Sequence, residues 1–514
     1  MKRIAEAVLL CGVLCVGMTW AEGRIPPVIC VERAGTEIAS PARGCGAVVF
    51  AVKAAPGSAY AGLSLKRVRM TLDGDVELTT GFPSVTVDLL EGAKLSPQAA
   101  CVSAAVFPVP LQDREALFEV YLRDASGKVR KLAARRKIAA GEVNGTVARM
   151  DLSLPEKAGG AWAETEHKLD VEDYKRKALD LIKRAGVPSL QVTMTTPLDT
   201  MGFCVVNEDF YAVPGRQQET RPIDMQSLYQ ACSISKVPLG YFAVKMAQDG
   251  KLDLDRPLYK YRPDILGRFA SERDREWAKL VTPRLVMTHT SGLPNKGYIE
   301  MKFLSKPGEK YIYSGVGIFL LQLTLEQIKG ETLDVFAKKE LFDPLGMKHS
   351  NYRWQPEYEK IAVYGFRERG PQRDTDWSYK CNAAYSLRTS SEEYTKFLQW
   401  FLRGADLTPE WREIMFKEYV EMPQKADARQ DRTIFRNLVW VEENSREFGK
   451  IRFHGGNNVA YKGLAMMIPE RYVTLCYFLN GDHPYNLHGP LTDLFLHPKQ
   501  RLSAHTGGKP LPER

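Results

Sequence analysis

The chain has 514 residues, of which 44% are hydrophobic and 26% charged, and a formal net charge of +9. This is the make-up of an ordinary globular protein with room for two or three cores, and it excludes disordered, collagen-like and repeat architectures. The positive excess is thin, both signs are interspersed, and no dense basic run interleaves with aromatics, which excludes nucleic acid as a partner.

The first residues read as an export signal. Lys2 and Arg3 precede an apolar run from Val8 to Met18, and Thr19, Trp20 and Ala21 form an acceptable cleavage site, so residues 1–21 are assigned to the signal. The run is too short to span a bilayer as a mature helix. Leu10 and Leu14 stand before Cys11 and Cys15, where a lipoprotein signal wants a small residue. A periplasmic or secreted protein without a membrane anchor is expected. Removing residues 1–21 takes away two positive charges and one negative, which lowers +9 to +8. Cys30, Cys45, Cys101, Cys204, Cys232, Cys381 and Cys476 remain, an odd and scattered set that makes a poor disulfide framework. There is no Cys-x-x-Cys or His-Glu-x-x-His, and the eight histidines are scattered, so no metal or other cofactor is expected.

Residues 22–158 are predicted to form an all-β, sandwich-like accessory domain. Val68, Met70 and Leu72 alternate with polar residues up to Asp73-Gly74, which turns the chain into Val76 and Leu78. Phe118, Val120 and Leu122 alternate before a turn at Asp124–Gly127, and Ala148, Met150, Leu152 and Leu154 do so before Pro155. No catalytic constellation falls in this half. Carbohydrate or cell-wall contact is one role for it, a plain packing module the other.

Pro155 to Gly160 reads as a linker. A helix follows, capped by Asp170, carrying Val171, Tyr174, Ala178, Leu181 and Ala185 at helical spacing and ending at Gly186. Residues 163–500 mix helical and strand-like segments as a second domain, and 501–514 form a frayed tail.

Within that second domain, Ser233-Ile-Ser-Lys236 opens a segment in which Leu239, Phe242, Ala243 and Met246 recur at helical spacing, with Gly250 at its end. Pro238 is tolerated in the first turn. Ser233 therefore begins a helix, and Lys236 lies one turn on, on the same face. A serine hydroxyl is a poor nucleophile until a base takes its proton, and a lysine can serve if burial disfavours its charge. Alone this is weak, since chance supplies about one Ser-x-x-Lys in a chain this long. Taken alone, an ordinary helix cap followed by a surface lysine is the better reading of these four residues.

Six further segments follow in order. They are Lys251-Leu-Asp-Leu-Asp-Arg-Pro-Leu258, Leu285-Val-Met-Thr-His-Thr-Ser-Gly-Leu-Pro294 and Pro307-Gly-Glu-Lys-Tyr-Ile-Tyr-Ser-Gly315. After them come Glu340-Leu-Phe-Asp-Pro-Leu-Gly-Met-Lys348, Asn382-Ala-Ala-Tyr-Ser-Leu-Arg-Thr-Ser390 and Phe453-His-Gly-Gly-Asn-Asn458. With the tetrad, this series resembles the serine β-lactamase and penicillin-recognising hydrolase family, in particular its class C β-lactamase-like branch with related esterases and D-peptidases. The resemblance covers the second half and none of the first. It implies an antiparallel sheet flanked by helices.

It also implies roles. Ser233 is the nucleophile, Lys236 its partner, and Tyr313 the second catalytic group, a phenol that a neighbouring cation makes a better general base. His454 stands where the family has the lysine of Lys-Thr-Gly. Gly455 and Gly456 let the backbone approach a ligand, and the backbone N–H groups of Ser233 and Asn457 serve as oxyanion donors. His289 is given a packing role. Gly315 replaces the asparagine of Tyr-x-Asn, whose side-chain amide contacts substrate in the family. Only twelve residues lie between Pro294 and Pro307, short for the family, which suggests an open cleft. His454, Gly315 and this short connection all speak against efficient β-lactam hydrolysis. The expected activity is acyl transfer through acyl-Ser233 onto water, on a small-molecule or peptide ester or amide. The alternatives are a β-lactamase or DD-carboxypeptidase, and a non-hydrolytic penicillin-binding-like receptor or wall-binding protein.

Overall fold

A computed structural model describes residues 28–29, 46–72, 84–95, 101–107, 115–139, 143–144, 147–155, 157, 159, 161–166, 169–214, 216, 222–367, 380–422, 434–445, 448–483, 487–497, 509 and 511. The export signal at 1–21, Cys30, Cys45, the Asp73-Gly74 turn with Val76 and Leu78, and nearly all of the tail lie outside these residues.

The first half holds two five-stranded sheets. One runs Val28–Ile29, Cys101–Phe107, Gly46–Ala54, Val147–Leu154, Val143–Asn144, and its 46–54 and 147–154 strands are parallel. The other runs Ala163–Glu166, Val129–Lys137, Glu115–Arg123, Ser64–Leu72, Ser84–Lys94 and is antiparallel throughout. Their alternating apolar residues meet in one core: Val48, Phe50 and Val52 with Met150, Leu152 and Leu154 from one sheet, Val68, Met70, Phe118, Val120 and Leu122 from the other. Register explains the pattern, since Val68 faces Val120 and Met70 faces Phe118 across the ladder, so same-face residues pair. At the turn, Asp124 Oδ1 accepts from the backbone N–H groups of Ser126 and Lys128 and from the Ser126 hydroxyl, and Gly127 takes a left-handed φ of 89°.

Strand pairing does not stop at Pro155–Gly160. Residues 163–166 return to the second sheet, where Glu164 accepts a 2.7 Å hydrogen bond from Tyr60 and Glu166 pairs with Lys128 at 2.9 Å. A boundary at 158–163 therefore cuts a sheet, and the pairing moves it to the stretch between Glu166 and Asp170.

The second half is built on an eight-stranded antiparallel sheet. Its order is Thr200–Val206, Ser189–Thr195, Val473–Leu479, Lys462–Ile468, Gly449–Asn457, Val441–Ser445, Ile434–Arg436, Val420–Glu421. The helix Val171–Ala185 begins where Asp170 accepts from Asp173 N and ends at Gly186 in a left-handed cap. With the helix His488–Leu496 it covers one face of the sheet, burying Ala178, Ile182, Val192, Leu464, Leu475 and Phe495 together. Helices Lys236–Gln248, Gly315–Lys329 and Ser391–Leu402 pack into a larger core on the other face. Covered on both sides, the strands 189–195, 462–468 and 473–479 are buried along their whole length. Leu198 packs with Tyr121 and Val129, and the Arg123 guanidinium donates to the carbonyls of Pro197 and Leu198, which joins the two halves. Among the described residues no helix is long and apolar enough to cross a membrane.

Candidate active site

The site begins at a tight turn. Residues Cys232–Ser235 form a single 3-10 turn and the α-helix starts only at Lys236, so Ser233 sits just ahead of the helix rather than in it. Cys232 adopts a left-handed φ of 51°, costly for a residue with a Cβ. The strain is held by burial and by thiol contacts to the carbonyls of Gln230 and Tyr461, both at 3.3 Å. Burial pushes the Cys232 thiol up to about 12, so it is no competing nucleophile. The helix behind is buried almost all round, because it runs through the middle of the core rather than along its surface. Gly240 permits this: a Cβ there would come within 2.5 Å of Val439. Ser233 is the partly exposed residue in this otherwise buried stretch.

Lys236 is 1% exposed, and its Nζ reaches Ser233 Oγ at 3.0 Å and the carbonyl oxygen of Ala384 at 2.6 Å. Ala384 is held in turn, since its N–H donates to Asn382 Oδ1 and that of Ala383 to Gln322 Oε1. The same ammonium lies 4.9 Å from the centre of the Tyr313 ring.

Tyr313 precedes the helix Gly315–Lys329, whose cap is Ser314, with Oγ accepting from Gly317 N at 2.8 Å. The Ser314 N–H donates to His289 Nδ1 at 3.1 Å, and the His289 ring lies 4.3 Å from the Tyr313 ring. His289 thus does more than pack: it anchors the backbone directly after the phenol and flanks its face. Burial, and next the Arg436 charge, press its pKa well below the usual histidine range. A neutral ring accepting at Nδ1 carries its proton on Nε2.

His454 lies on the strand Gly449–Asn457, 6.4 Å from the Tyr313 ring between centroids. It too is held neutral, by burial first and then by Arg436 and Lys236. Its Nδ1 meets Gly455 O at 2.8 Å, which makes Nδ1 the donor and leaves Nε2 as a lone pair. Gly456 packs against the nucleophile turn; a Cβ there would lie 2.7 Å from Ala231 O and 3.1 Å from Cys232 Cβ. Gly455 and Asn457 are exposed. The neighbouring strand pairs no further than Val441 with Phe453, so it leaves residues 454–457 uncovered on that side. Asn458 Nδ2 bonds Gln230 Oε1 at 2.7 Å and ties this strand to the segment before Ser233.

The tertiary structure therefore brings Ser233, Lys236, Tyr313, His454 and Gly456 together, and it adds two groups that sequence reasoning missed. One is the Ala384 carbonyl, inside a segment used only as a family match. The other is Arg436, 3% exposed, whose guanidinium donates to Val439 O and to Tyr311 Oη and lies 6.0 Å from the Tyr313 ring. No motif surrounds Arg436, so nothing local could have flagged it. A fixed cation is thus present near the site although His454 supplies none. Among the described residues no cluster of histidine, cysteine and carboxylate side chains could hold a metal ion.

Residues 205–494, more than half of the chain, match the sequence profile of the Beta-lactamase family. The chain belongs to the beta-lactamase family. Its second half has the beta-lactamase-like fold, a large antiparallel sheet with helices. Two curated relatives, both from Bacillus subtilis, show the range around it. An N-acetylmuramyl-L-alanine amidase is 27% identical over 31% of this chain and 42% of its own length. Penicillin-binding protein 4* is 23% identical over 51% of this chain and 63% of its own. The chain thus spans less than two thirds of either relative. A solved beta-lactamase/D-alanine carboxypeptidase from Pseudomonas syringae superposes with a TM-score of 0.52, covering 65% of this chain and all of that one at 14% identity.

Proposed function

We propose that the chain hydrolyses ester or peptide-like amide bonds through an acyl-Ser233 intermediate. The observation that carries this reading is the buried Lys236 amine, shared between Ser233 Oγ and Ala384 O beneath Tyr313. Ser233 Oγ attacks the carbonyl carbon while its proton passes to the Lys236–Tyr313 pair. The bond from that carbon to the leaving oxygen or nitrogen breaks, and the leaving group takes up the proton. Water then adds to the acyl ester with the same groups acting in reverse, releasing the acid and free Ser233. The backbone N–H groups of Ser233 and Asn457 face the developing oxyanion on this reading. Mass spectrometry after incubation with a fluorophosphonate tests it: a single adduct on Ser233 supports the assignment, and an unmodified serine with an intact fold removes it.

Small neutral esters and amides suit the site because His454 is held uncharged. Arg436 favours a second reading, a DD-carboxypeptidase or β-lactamase, since its fixed charge would draw a substrate carboxylate toward Tyr313. Comparing a D-alanyl-D-alanine peptide, nitrocefin and a short ester as substrates separates the two. A non-hydrolytic receptor would need none of Ser233, Lys236 and Tyr313, and all three are in contact or near it.

On the same proposal the two opening sheets form an accessory domain, exported with the hydrolase behind the signal at 1–21. Contact with carbohydrate or cell wall is its proposed role, tested by co-sedimentation with purified peptidoglycan.

A further inference from the structure

The stretch Asn295-Lys-Gly-Tyr-Ile-Glu-Met-Lys-Phe-Leu-Ser-Lys-Pro-Gly-Glu-Lys310 connects the His289 segment to Tyr313. Along its middle the side chains alternate. Met301 and Phe303 turn inward and are buried, and the Phe303 ring stacks on Phe269 at 5.2 Å and meets Trp277 edge to face at 5.9 Å. The period of two then sends Lys302, Leu304 and Lys306 to solvent. Met301 N donates to Arg268 O at 3.3 Å and Leu304 N to Gly292 O at 2.8 Å. Gly292 allows the close approach: its φ is 77°, and a Cβ there would lie 2.1 Å from Ser305 O. The backbone is pinned, so its outward residues are held outward.

Those residues are of two kinds. Ile299 is 97% exposed and Leu304 65%, against 49% for Val335, the next large apolar side chain among the described residues. Apolar residues scattered singly over a surface need no partner, but the two most exposed ones here share one short stretch. Lys296, Lys302, Lys306 and Lys310 accompany them, all exposed, against Glu300 and Glu309. Lys302 pairs with Glu300 at 3.2 Å, whereas Lys296, Lys306 and Lys310 make no ion pair among the described residues. Both ends of the stretch are tied beside Tyr313, since Ser314 Oγ donates to Pro294 O at 3.0 Å and Ile312 N to His289 O at 2.8 Å.

We propose that residues 295–310 dock on the surface of an anionic phospholipid bilayer, with Ile299 and Leu304 entering between headgroups and Lys296, Lys306 and Lys310 meeting lipid phosphates. Taking exposed aliphatic side chains out of water favours that contact, and each lysine beside a negative surface adds to it. A protein partner suits the stretch less well. Lysine is depleted at protein interfaces, and an aliphatic tip gains most there only in a matching pocket. The contact is peripheral, and it goes beyond the ester or amide reading without resting on it. Because the stretch is tied beside Tyr313 at both ends, docking carries the active site to the lipid surface.

Co-sedimentation of the chain from residue 22 onward tests this, since the apolar run Val8–Met18 would itself enter lipid. The protein should pellet with vesicles of equal parts phosphatidylglycerol and phosphatidylcholine, weakly with phosphatidylcholine alone, and less as salt rises. Ile299→Ser and Leu304→Ser, both at exposed positions, should each lower the partition coefficient about fivefold or more with Tm unchanged. Lys296→Gln, Lys306→Gln and Lys310→Gln together should lower it about a hundredfold, near fivefold per lysine. Lys175→Gln, Lys177→Gln and Lys183→Gln on the helix Val171–Ala185 remove the same charge elsewhere and should leave most of the binding intact. A wild type that stays in solution with the mixed vesicles overturns the proposal, and so do serine variants that bind as tightly as wild type or an equal loss from the control lysines. Sedimentation velocity covers one more case: a dimer that Ile299→Ser dissociates, with no vesicle binding, assigns the stretch to a second copy of the chain and overturns the proposal too.

Discussion

The Lys236 amine lies 2.6 Å from the backbone carbonyl of Ala384, a contact between residues 148 apart in the chain. Together with the 3.0 Å approach to Ser233 Oγ it fixes a long, flexible side chain in one position. On the proposed mechanism this lysine exchanges protons with a serine and cannot wander, and a backbone dipole holds it.

Ser233→Ala should therefore lower turnover of a short p-nitrophenyl ester by about 10³-fold or more without changing the circular dichroism spectrum. Lys236→Met should lose kcat to a similar degree and keep or raise Tm, because an apolar chain of similar volume replaces a buried amine. Near wild-type turnover in either variant would remove the assignment.

The His289 bond to Ser314 leads to a graded expectation. His289→Ala leaves the Ser314 N–H buried without its acceptor, which should cost about 1–3 kcal/mol in urea unfolding and lower kcat as Tyr313 loosens. Asparagine tolerates the left-handed backbone at this position, φ 57°, and offers an acceptor. His289→Asn should thus recover stability better than it recovers kcat. Equal behaviour of the two variants would show that the histidine merely fills space.

Stability should depend on pH in one direction. His289 and His454 are both held well below 6.5 in the folded chain, and burial lowers His488 to about 4. Below pH 6.5 the unfolded chain binds protons at these sites while the folded one does not. Stability is then complete above about pH 7 and falls as pH drops through 6.5, by up to about 1.4 kcal/mol per unit for each histidine. Denaturant unfolding between pH 5 and 8 measures this, and His289→Asn should shallow the slope. A flat profile would mean that the rings are charged or solvated.

A chain beginning at Asp170 should fold and hydrolyse small esters. Residues 163–166 belong to the sheet of the first half, so a start at Ala163 would carry a strand without its partner. The exposed scar includes Leu198 and the turn Pro469–Arg471, which lies against the strand Ser84–Lys94. Solubility that returns only when residues 22–166 are added in trans would instead show one integrated folding unit.

Nitrocefin should be turned over with kcat/KM about a hundredfold below that of a good ester, roughly 2.7 kcal/mol of discrimination. Introducing the family's lysine by His454→Lys would place a third cation near Arg436 and Lys236, in a buried position that, with those two charges, already holds His454 neutral. Its expected effect is a lower Tm rather than faster nitrocefin hydrolysis. Nitrocefin turnover matching that of the ester would restore β-lactam hydrolysis as the leading activity.

What the sequence determined by itself is what lives within a few residues of chain. Alternation set which faces of 64–72, 115–123 and 147–154 are buried, Asp170 and Gly186 set both ends of one helix, and the Ser233–Lys236 spacing set one face of a turn. Each is a contact of short loop length, so its signal stays local. Tertiary structure alone decided the rest of the site. The Ala384 carbonyl, the Arg436 charge and the histidine behind Tyr313 arrive from separate elements brought together only by burial of the two large cores. Their neighbours in sequence carry no trace of these meetings, because packing at a distance depends on shape and volume rather than on any local spacing.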